Sequence, residues 1–370
     1  MSFYDYYQQF KDLDIEQYFQ QVSNGDIEAI LAKEELHYQD FLALLSPTAT
    51  NYLEELAQQA HQKTVQYFGK TMKLYAPLYL ANYCVNSCVY CSFNTTNDLT
   101  RQKLTTEEIR QEAEIIRDKG IEHLLILTGE SRSETPVSYI AQAVEILTKY
   151  FSSIAIEIYP LEQAEYEQLI ASGVDGLTIY QETYNQVVYN QVHLSGPKTD
   201  YRYRLEAPER GCQAGMRAVN IGPLFGLNEW RKEAFLAGLH AQYLQDQFLE
   251  TKISLSMPRL KGHLGDFKPD SIVSDSNLVQ LIVALRLFLP QLGLTLSTRE
   301  AVELRNNLIP LGITKMSAES STVVGGYATN KGVGQFDTAD NRTVAEIKDL
   351  LIEAGYQPIL KDWHSLVGLA

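Results

Sequence analysis

The chain has 370 residues, 45% of them hydrophobic, with 31 Lys+Arg against 46 Asp+Glu and a net charge of −15. That balance argues against nonspecific nucleic-acid binding, which needs a basic face to displace counterions. No run approaches the ~20 apolar residues of a membrane span, and the opening MSFYDYYQQF lacks the basic-then-apolar order of a signal peptide, so a cytoplasmic protein is expected.

Residues 1–70 read as a helical extension. Apolar and aromatic positions recur at helical spacing in Ile27–Leu36 and Tyr52–Phe68, and Ser46-Pro47-Thr48 marks a break between helices. From about residue 74 short β-branched runs alternate with amphipathic stretches. The expected strands are Tyr75–Leu80, His123–Leu127, Ser153–Ile158, Gly176–Tyr180, Ala218–Gly222, Lys252–Ser256, Leu292–Leu296 and Ile313–Met316. The expected helices include Thr106–Lys119, Val137–Tyr150, Leu161–Ser172, Trp230–Gln247, Ser276–Phe288 and Thr343–Ala354. Thr105 or Thr106 followed by Glu107 and Glu108 gives the first an acidic N-terminal turn, which the helix dipole favours.

Eight strands alternating with helices predict an α/β fold, a (β/α)8 TIM-type barrel over 71–340, with a C-terminal helix and tail, 341–370, packed on it. An open six-strand partial barrel is the alternative, because the seventh and eighth strands have weak signals. Gly325-Gly326-Tyr327 and Gly332-Val333-Gly334 form a flexible loop; they do not follow a strand as a dinucleotide fingerprint does.

Three of the four cysteines, Cys84, Cys88 and Cys91, fall within eight residues as C-x3-C-x2-C, just after the first expected strand. In a barrel that is the catalytic end. Such clustering points to metal or redox chemistry rather than a disulfide framework. Iron–sulfur clusters are held by thiolates, and three cysteines leave one iron of a 4Fe–4S cube open to bind a substrate. The alternative is a structural zinc site, with Cys212 or a histidine as fourth ligand. Cys212, alone on an expected helix, reads as a buried structural thiol.

The spacing resembles that of the radical S-adenosylmethionine (SAM) superfamily. There the open iron chelates the amino and carboxylate groups of SAM, and one electron cleaves it to methionine and a 5'-deoxyadenosyl radical. From about Tyr75 to Gly368 the chain further resembles the 2-iminoacetate synthases, the tyrosine lyases of bacterial thiamine biosynthesis. The resemblance rests on Ala76-Pro77-Leu78-Tyr79-Leu80, Glu122-His123-Leu124-Leu125 with Thr128-Gly129-Glu130, and Tyr180-Gln181-Glu182-Thr183-Tyr184. It continues in Arg204-Leu205-Glu206-Ala207-Pro208, Leu296-Ser297-Thr298-Arg299-Glu300 and Lys361-Asp362-Trp363. A related lyase that makes the diatomic ligands of iron-only hydrogenase carries a second cluster on a C-terminal cysteine triad. This chain departs from that pattern, having no cysteine after Cys212.

The resemblance implies roles. Cys84, Cys88 and Cys91 hold a 4Fe–4S cluster, and the Tyr90 ring lies against the adenine of SAM. Thr128, Gly129 and Glu130 cradle the methionine amino group, the alternative being an ordinary βα turn. Glu182 takes the SAM amino group and Arg204 its carboxylate, since a guanidinium suits bidentate recognition; both residues read alternatively as surface ion-pair members. Arg299 and Ser317 clamp the carboxylate of L-tyrosine, Ser317 reading alternatively as a helix N-cap. Arg259, at the end of the sixth strand, is a plausible site residue outside that main set. No histidine reads as a ligand: His123 begins a strand, His193 lies in a loop, and His364 belongs to a packed tail. The implied reaction breaks the Cα–Cβ bond of tyrosine to 2-iminoacetate and p-cresol. Implied partners are a flavodoxin or ferredoxin reductant and a thiazole synthase. A lyase of another aromatic amino acid and a non-catalytic metalloprotein remain alternatives.

Overall fold

The computed structural model describes residues 2–269, 271–329 and 332–361. The strands are β1 (Thr71–Ala81), β2 (His123–Thr128), β3 (Ser153–Glu157), β4 (Gly176–Thr178), β5 (Ala218–Ile221), β6 (Lys252–Ser256), β7 (Gly293–Leu296), β8 (Lys315–Ser317) and β9 (Gln357–Ile359). Each of β2 to β7 pairs in parallel with the next. The long β1 pairs through Ala76–Ala81 with β2 and through Lys73–Tyr75 with β8, which closes the barrel. The open six-strand alternative is therefore not what forms. A ninth strand, unforeseen in the sequence, lies along the first residues of β1.

The expected strand ends shift by a few residues. β1 starts four residues early, β4 stops at Thr178, and β8 runs to Ser317. Short helices at Gln186–Val192, Tyr201–Leu205 and Val302–Leu308 were not anticipated, whereas Cys212 does lie on a helix, Ala207–Gln213. Each is at most seven residues long, too short for a helical period to declare itself. The helix Thr106–Asp118 matches its acidic start. The Thr105 hydroxyl accepts from the Glu108 amide at 3.3 Å, and the Glu108 carboxylate accepts from the Thr105 amide at 2.7 Å. This reciprocal cap satisfies two otherwise orphaned donors, and Ile109, Ala113 and Ile116 are buried.

The N-terminal helices pack on the outside of the barrel, against the helices Trp230–Gln247 and Asp275–Phe288. Phe41 stacks on Phe288 at 4.6 Å. Gly238 makes this possible, because a Cβ there would lie 2.9 Å from the Phe41 Cζ and nearer still to its Cε1. Phe3 stacks on His240 at 3.8 Å, and its amide donates to the Glu209 carboxylate at 2.6 Å. No described helix is long and apolar enough to cross a membrane. Asp362, Trp363 and His364, and the rest of the tail that follows them, lie outside the described residues.

Candidate active site

The cysteine segment leaves the top of β1 and is tied down by its own polar groups. The Arg101 guanidinium donates to the carbonyls of Asn82, Phe93 and Asn94 at 2.7–2.8 Å. Ser87 and Val89 amides donate to Ser195 and Val192 carbonyls at 3.1 and 3.0 Å, so the loop is laced to the segment after β4. The Val85 amide donates to the Glu130 carbonyl at 2.9 Å, and Asn86 donates to the Glu130 carboxylate at 2.6 Å. The loop after β2 is thereby pressed on the cysteine loop. A Cβ on Gly129 would lie 2.9 Å from the Tyr83 carbonyl carbon, nearer still to its oxygen, and 3.2 Å from the Cys84 Cβ. Only glycine allows that approach.

A cleft of about 990 Å³ opens at this end of the barrel. Cys84, Cys88, Tyr90, Cys91, Thr128, Gly129, Glu130, Glu182, Arg204 and Arg299 all line it. A second cavity of about 570 Å³ adjoins it deeper in the barrel, lined by Arg299, Ser317, Tyr75, Pro77, Leu125 and Leu127 among others. Glu157, Tyr180, Pro258, Arg299 and Phe336 line both and form the shared wall. Ser317 is not an N-cap: it ends β8, and its hydroxyl accepts from the Thr298 amide at 3.0 Å.

The cofactor-side residues fit the groups expected of them. Among the described residues, no three His, Cys, Asp or Glu close around a single metal ion; the three sulfurs line the wall of a wide cleft instead. Burial pushes the Cys88 thiol up to about 12 and raises Cys91 as well. These thiols thus stay protonated unless a positive iron centre holds them as thiolates. The Thr128 hydroxyl is buried without a hydrogen-bond partner among the described residues, and Thr128 lines this cleft. An orphaned buried hydroxyl is costly, and a polar ligand group would satisfy it.

Charge is arranged in depth around Glu182. Its backbone sits at φ 70°, in the left-handed region that a non-glycine residue occupies only at a cost. Lys198 contacts its carboxylate at 2.7 Å and Arg204 at 3.5 Å. Burial would raise the Glu182 pKa, but these two cations outweigh it and hold the carboxyl below its usual range. The Arg204 guanidinium also donates to the Tyr180 carbonyl at 2.6 Å.

Tyr90 is buried and donates its hydroxyl to His193 Nε2 at 2.6 Å. His193 Nδ1 faces the Tyr189 carbonyl at 2.8 Å. A carbonyl only accepts, so Nδ1 carries the proton and Nε2 is the acceptor. His193 is therefore not a loop residue but a buried brace at the end of the helix Gln186–Val192, which sets the Tyr90 ring.

Arg299 lies face-on over the Phe336 ring, 3.3 Å from its centroid, and makes no ion pair among the described residues. Arg259 is occupied elsewhere, paired with Glu300 and, at 2.8 Å, with Asp275. The loop carrying Phe336 is anchored by the buried Arg305–Asp340 pair, while Arg305 also donates to the Ser317 carbonyl at 2.5 Å. His123 sits at the opposite end of the barrel, bonded to Ser153 at 2.7 Å and Lys315 at 2.5 Å. The reading from sequence missed Lys198, Phe336 and Glu157. Lys198 and Phe336 carry no local signal. Glu157 did, as the one acid in the apolar strand run Ser153–Ile158, at the barrel end where functional residues gather.

Residues 78–237 match the model of the radical SAM superfamily, and residues 256–357 match the biotin and thiamin synthesis associated domain. The chain is 41% identical over 348 residues to the 2-iminoacetate synthase of Escherichia coli (strain K12), covering 94% of this chain and 92% of that protein. It superposes on a crystal structure of HydG, a maturase of the [FeFe]-hydrogenase, with a TM-score of 0.89 at 32% identity, covering 94% of this chain and 79% of that one. The HydG of Carboxydothermus hydrogenoformans gives 0.86 at 34%, covering 93% and 82%.

Proposed function

Because the chain belongs to the 2-iminoacetate synthase family of the radical SAM superfamily, we infer that it is a carbon–carbon lyase acting on L-tyrosine. It cleaves the Cα–Cβ bond to 2-iminoacetate and p-cresol, for the thiazole moiety of thiamine. The observation that carries this reading is the pair of adjoining cavities, one lined by Cys84, Cys88 and Cys91, the other by Arg299 and Ser317.

Cys84, Cys88 and Cys91 would hold a 4Fe–4S cluster, which, reduced and with SAM bound, would supply a 5'-deoxyadenosyl radical. The Thr128-Gly129-Glu130 loop, which lines this cleft and whose buried Thr128 hydroxyl has no partner among the described residues, receives the amino end of SAM. Glu182 acts beside it, and Arg204 takes the carboxylate. The Tyr90 ring, fixed by His193, offers a face for the adenine. Arg299 and Ser317 clamp the tyrosine carboxylate, which directs its amino group at the shared wall; Pro77, Leu125 and Leu127 supply apolar surface for its ring. The loop with Phe336 shields this space from water, which the hydrolysable imine requires. In this reading a flavodoxin or ferredoxin supplies the electron and a thiazole synthase receives the imine, in the cytoplasm.

The test is anaerobic incubation of reconstituted, dithionite-reduced protein with SAM and L-tyrosine, scored for p-cresol and 5'-deoxyadenosine by mass spectrometry. Both products support the lyase. Deoxyadenosine without p-cresol keeps the radical chemistry and moves the substrate to another aromatic amino acid. Neither product, from protein with an intact cluster, sinks the reading.

A further inference from the structure

The two cavities are lined by three carboxylates: Glu130, Glu157 and Glu182. Two are occupied, Glu130 by Asn86 at 2.6 Å and Glu182 by Lys198 and Arg204. Glu157 ends β3 in the wall common to both cavities and, among the described residues, makes no hydrogen bond or ion pair. Among the described carboxylates of these cavities it is the one without a protein partner. The groups that face it are known. Glu182, Arg299, Arg204 and Lys198 surround it, and the phenols of Tyr75, Tyr79 and Tyr180 stand near. Burial first, and Glu182 second, push its carboxyl up to about 7 against the pull of the three cations.

This inference rests on the tyrosine-lyase reading and asks what that substrate still lacks. Its carboxylate has Arg299 and Ser317, but its α-ammonium has no anionic partner. The ammonium also has no lone pair. In the lyase reading the radical takes its hydrogen atom from this amino group as a neutral amine, so the ammonium must first lose a proton. We propose that Glu157 is the base that accepts this proton from the α-ammonium of the bound amino acid. The N–H bond breaks with its electron pair kept on nitrogen, an O–H bond forms on a Glu157 carboxyl oxygen, and the ion pair becomes a neutral amine beside a neutral acid. No electron moves in this step. A base whose value lies near the working pH suits the task, and Glu157 lies in the wall across which substrate and cofactor meet.

The test pairs kinetics with binding. Glu157→Gln, with its cluster spectrum and melting temperature confirmed, should lower kcat for p-cresol near neutral pH by roughly 100- to 10,000-fold, the usual worth of a positioned base. KM should change far less, because the carboxylate clamp is intact. The deficit should shrink as pH rises and the amino acid dissociates without help. Glu157→Asp should recover part of the rate. Calorimetry on the unreduced parent holoenzyme at about pH 6, in two buffers of different ionisation enthalpy, adds a readout independent of turnover. Binding L-tyrosine should release about one proton, whereas 3-(4-hydroxyphenyl)propionate, which lacks the amino group, should release none. A Gln variant of parental rate, a loss equal at every pH, or equal proton release with both ligands overturns the proposal alone. A parent enzyme that makes no p-cresol overturns the lyase reading beneath it.

Discussion

Replacing Arg299 by alanine separates substrate capture from cofactor chemistry. The guanidinium reaches both cavities, rests on Phe336, and has no ion pair in the described protein. Burial lowers its pKa, with Tyr79 and Tyr180 the largest opposing influences. It is a desolvated cation, and in the proposed reading the tyrosine carboxylate is its anion. A hydrogen bond to a charged group contributes about 1.5–3 kcal/mol. At about 1.4 kcal/mol per tenfold, Arg299→Ala should raise KM for L-tyrosine by roughly 10- to 150-fold. Misaimed substrate should also leave deoxyadenosine forming without p-cresol, since a shift of about 1 Å costs roughly 100-fold. Because the cation has no protein counter-ion, its removal should leave the melting temperature unchanged or higher, the reverse of breaking a buried pair. Arg299→Lys keeps the charge but not the fork and should recover only part of the affinity. The assay is steady-state p-cresol formation over a range of tyrosine concentrations, with deoxyadenosine counted in the same samples. A parental KM with tight coupling would refute the clamp.

Three further outcomes follow from the geometry. Gly129→Ala forces a methyl into the Tyr83 carbonyl and against Cys84; overpacking of this kind costs about 1–3 kcal/mol. Here the strain should also appear as weakened SAM binding, measured on the reconstituted protein. Asp340→Asn leaves buried Arg305 without its carboxylate and should cost about 3–5 kcal/mol in thermal or urea unfolding. His193 is 2% exposed, and burial pushes its pKa from 6.5 down to about 2. The unfolded state therefore binds a proton that the folded state refuses. This costs about 1.4 kcal/mol of stability per pH unit as pH falls below the unfolded value. Stability is fully present above about 6.5 and lost progressively toward about 2. His193→Gln should flatten that slope in acid-unfolding titrations, though it loosens the Tyr90 ring.

What the sequence determined by itself was local. Cys84, Cys88 and Cys91 lie within one short loop, so their spacing alone brings three thiolates together, and no tertiary contact is needed to recognise it. The βα alternation was likewise legible, because periods of 2 and 3.6 residues are properties of a segment. Thr128-Gly129-Glu130, Glu182, Arg299 and Ser317 lie at strand ends or just beyond them, where a barrel gathers its functional side chains, and Arg204 reaches the same cleft from the helix Tyr201–Leu205.

Only the tertiary structure decided closure, partners and charge. Whether eight strands close depends on β1 pairing with β2 and β8 at once, a contact across more than half the chain. The assembled barrel also sets Lys198 on Glu182, seats Phe336 under Arg299, and leaves Glu157 lining both cavities without a partner among the described residues. Desolvation and Coulomb fields sum over every element packed around a group, so a carboxyl raised to about 7 in Glu157 and one lowered in Glu182 look alike in a sequence. Which acid stays paired and which is free for chemistry is a property of the assembled barrel.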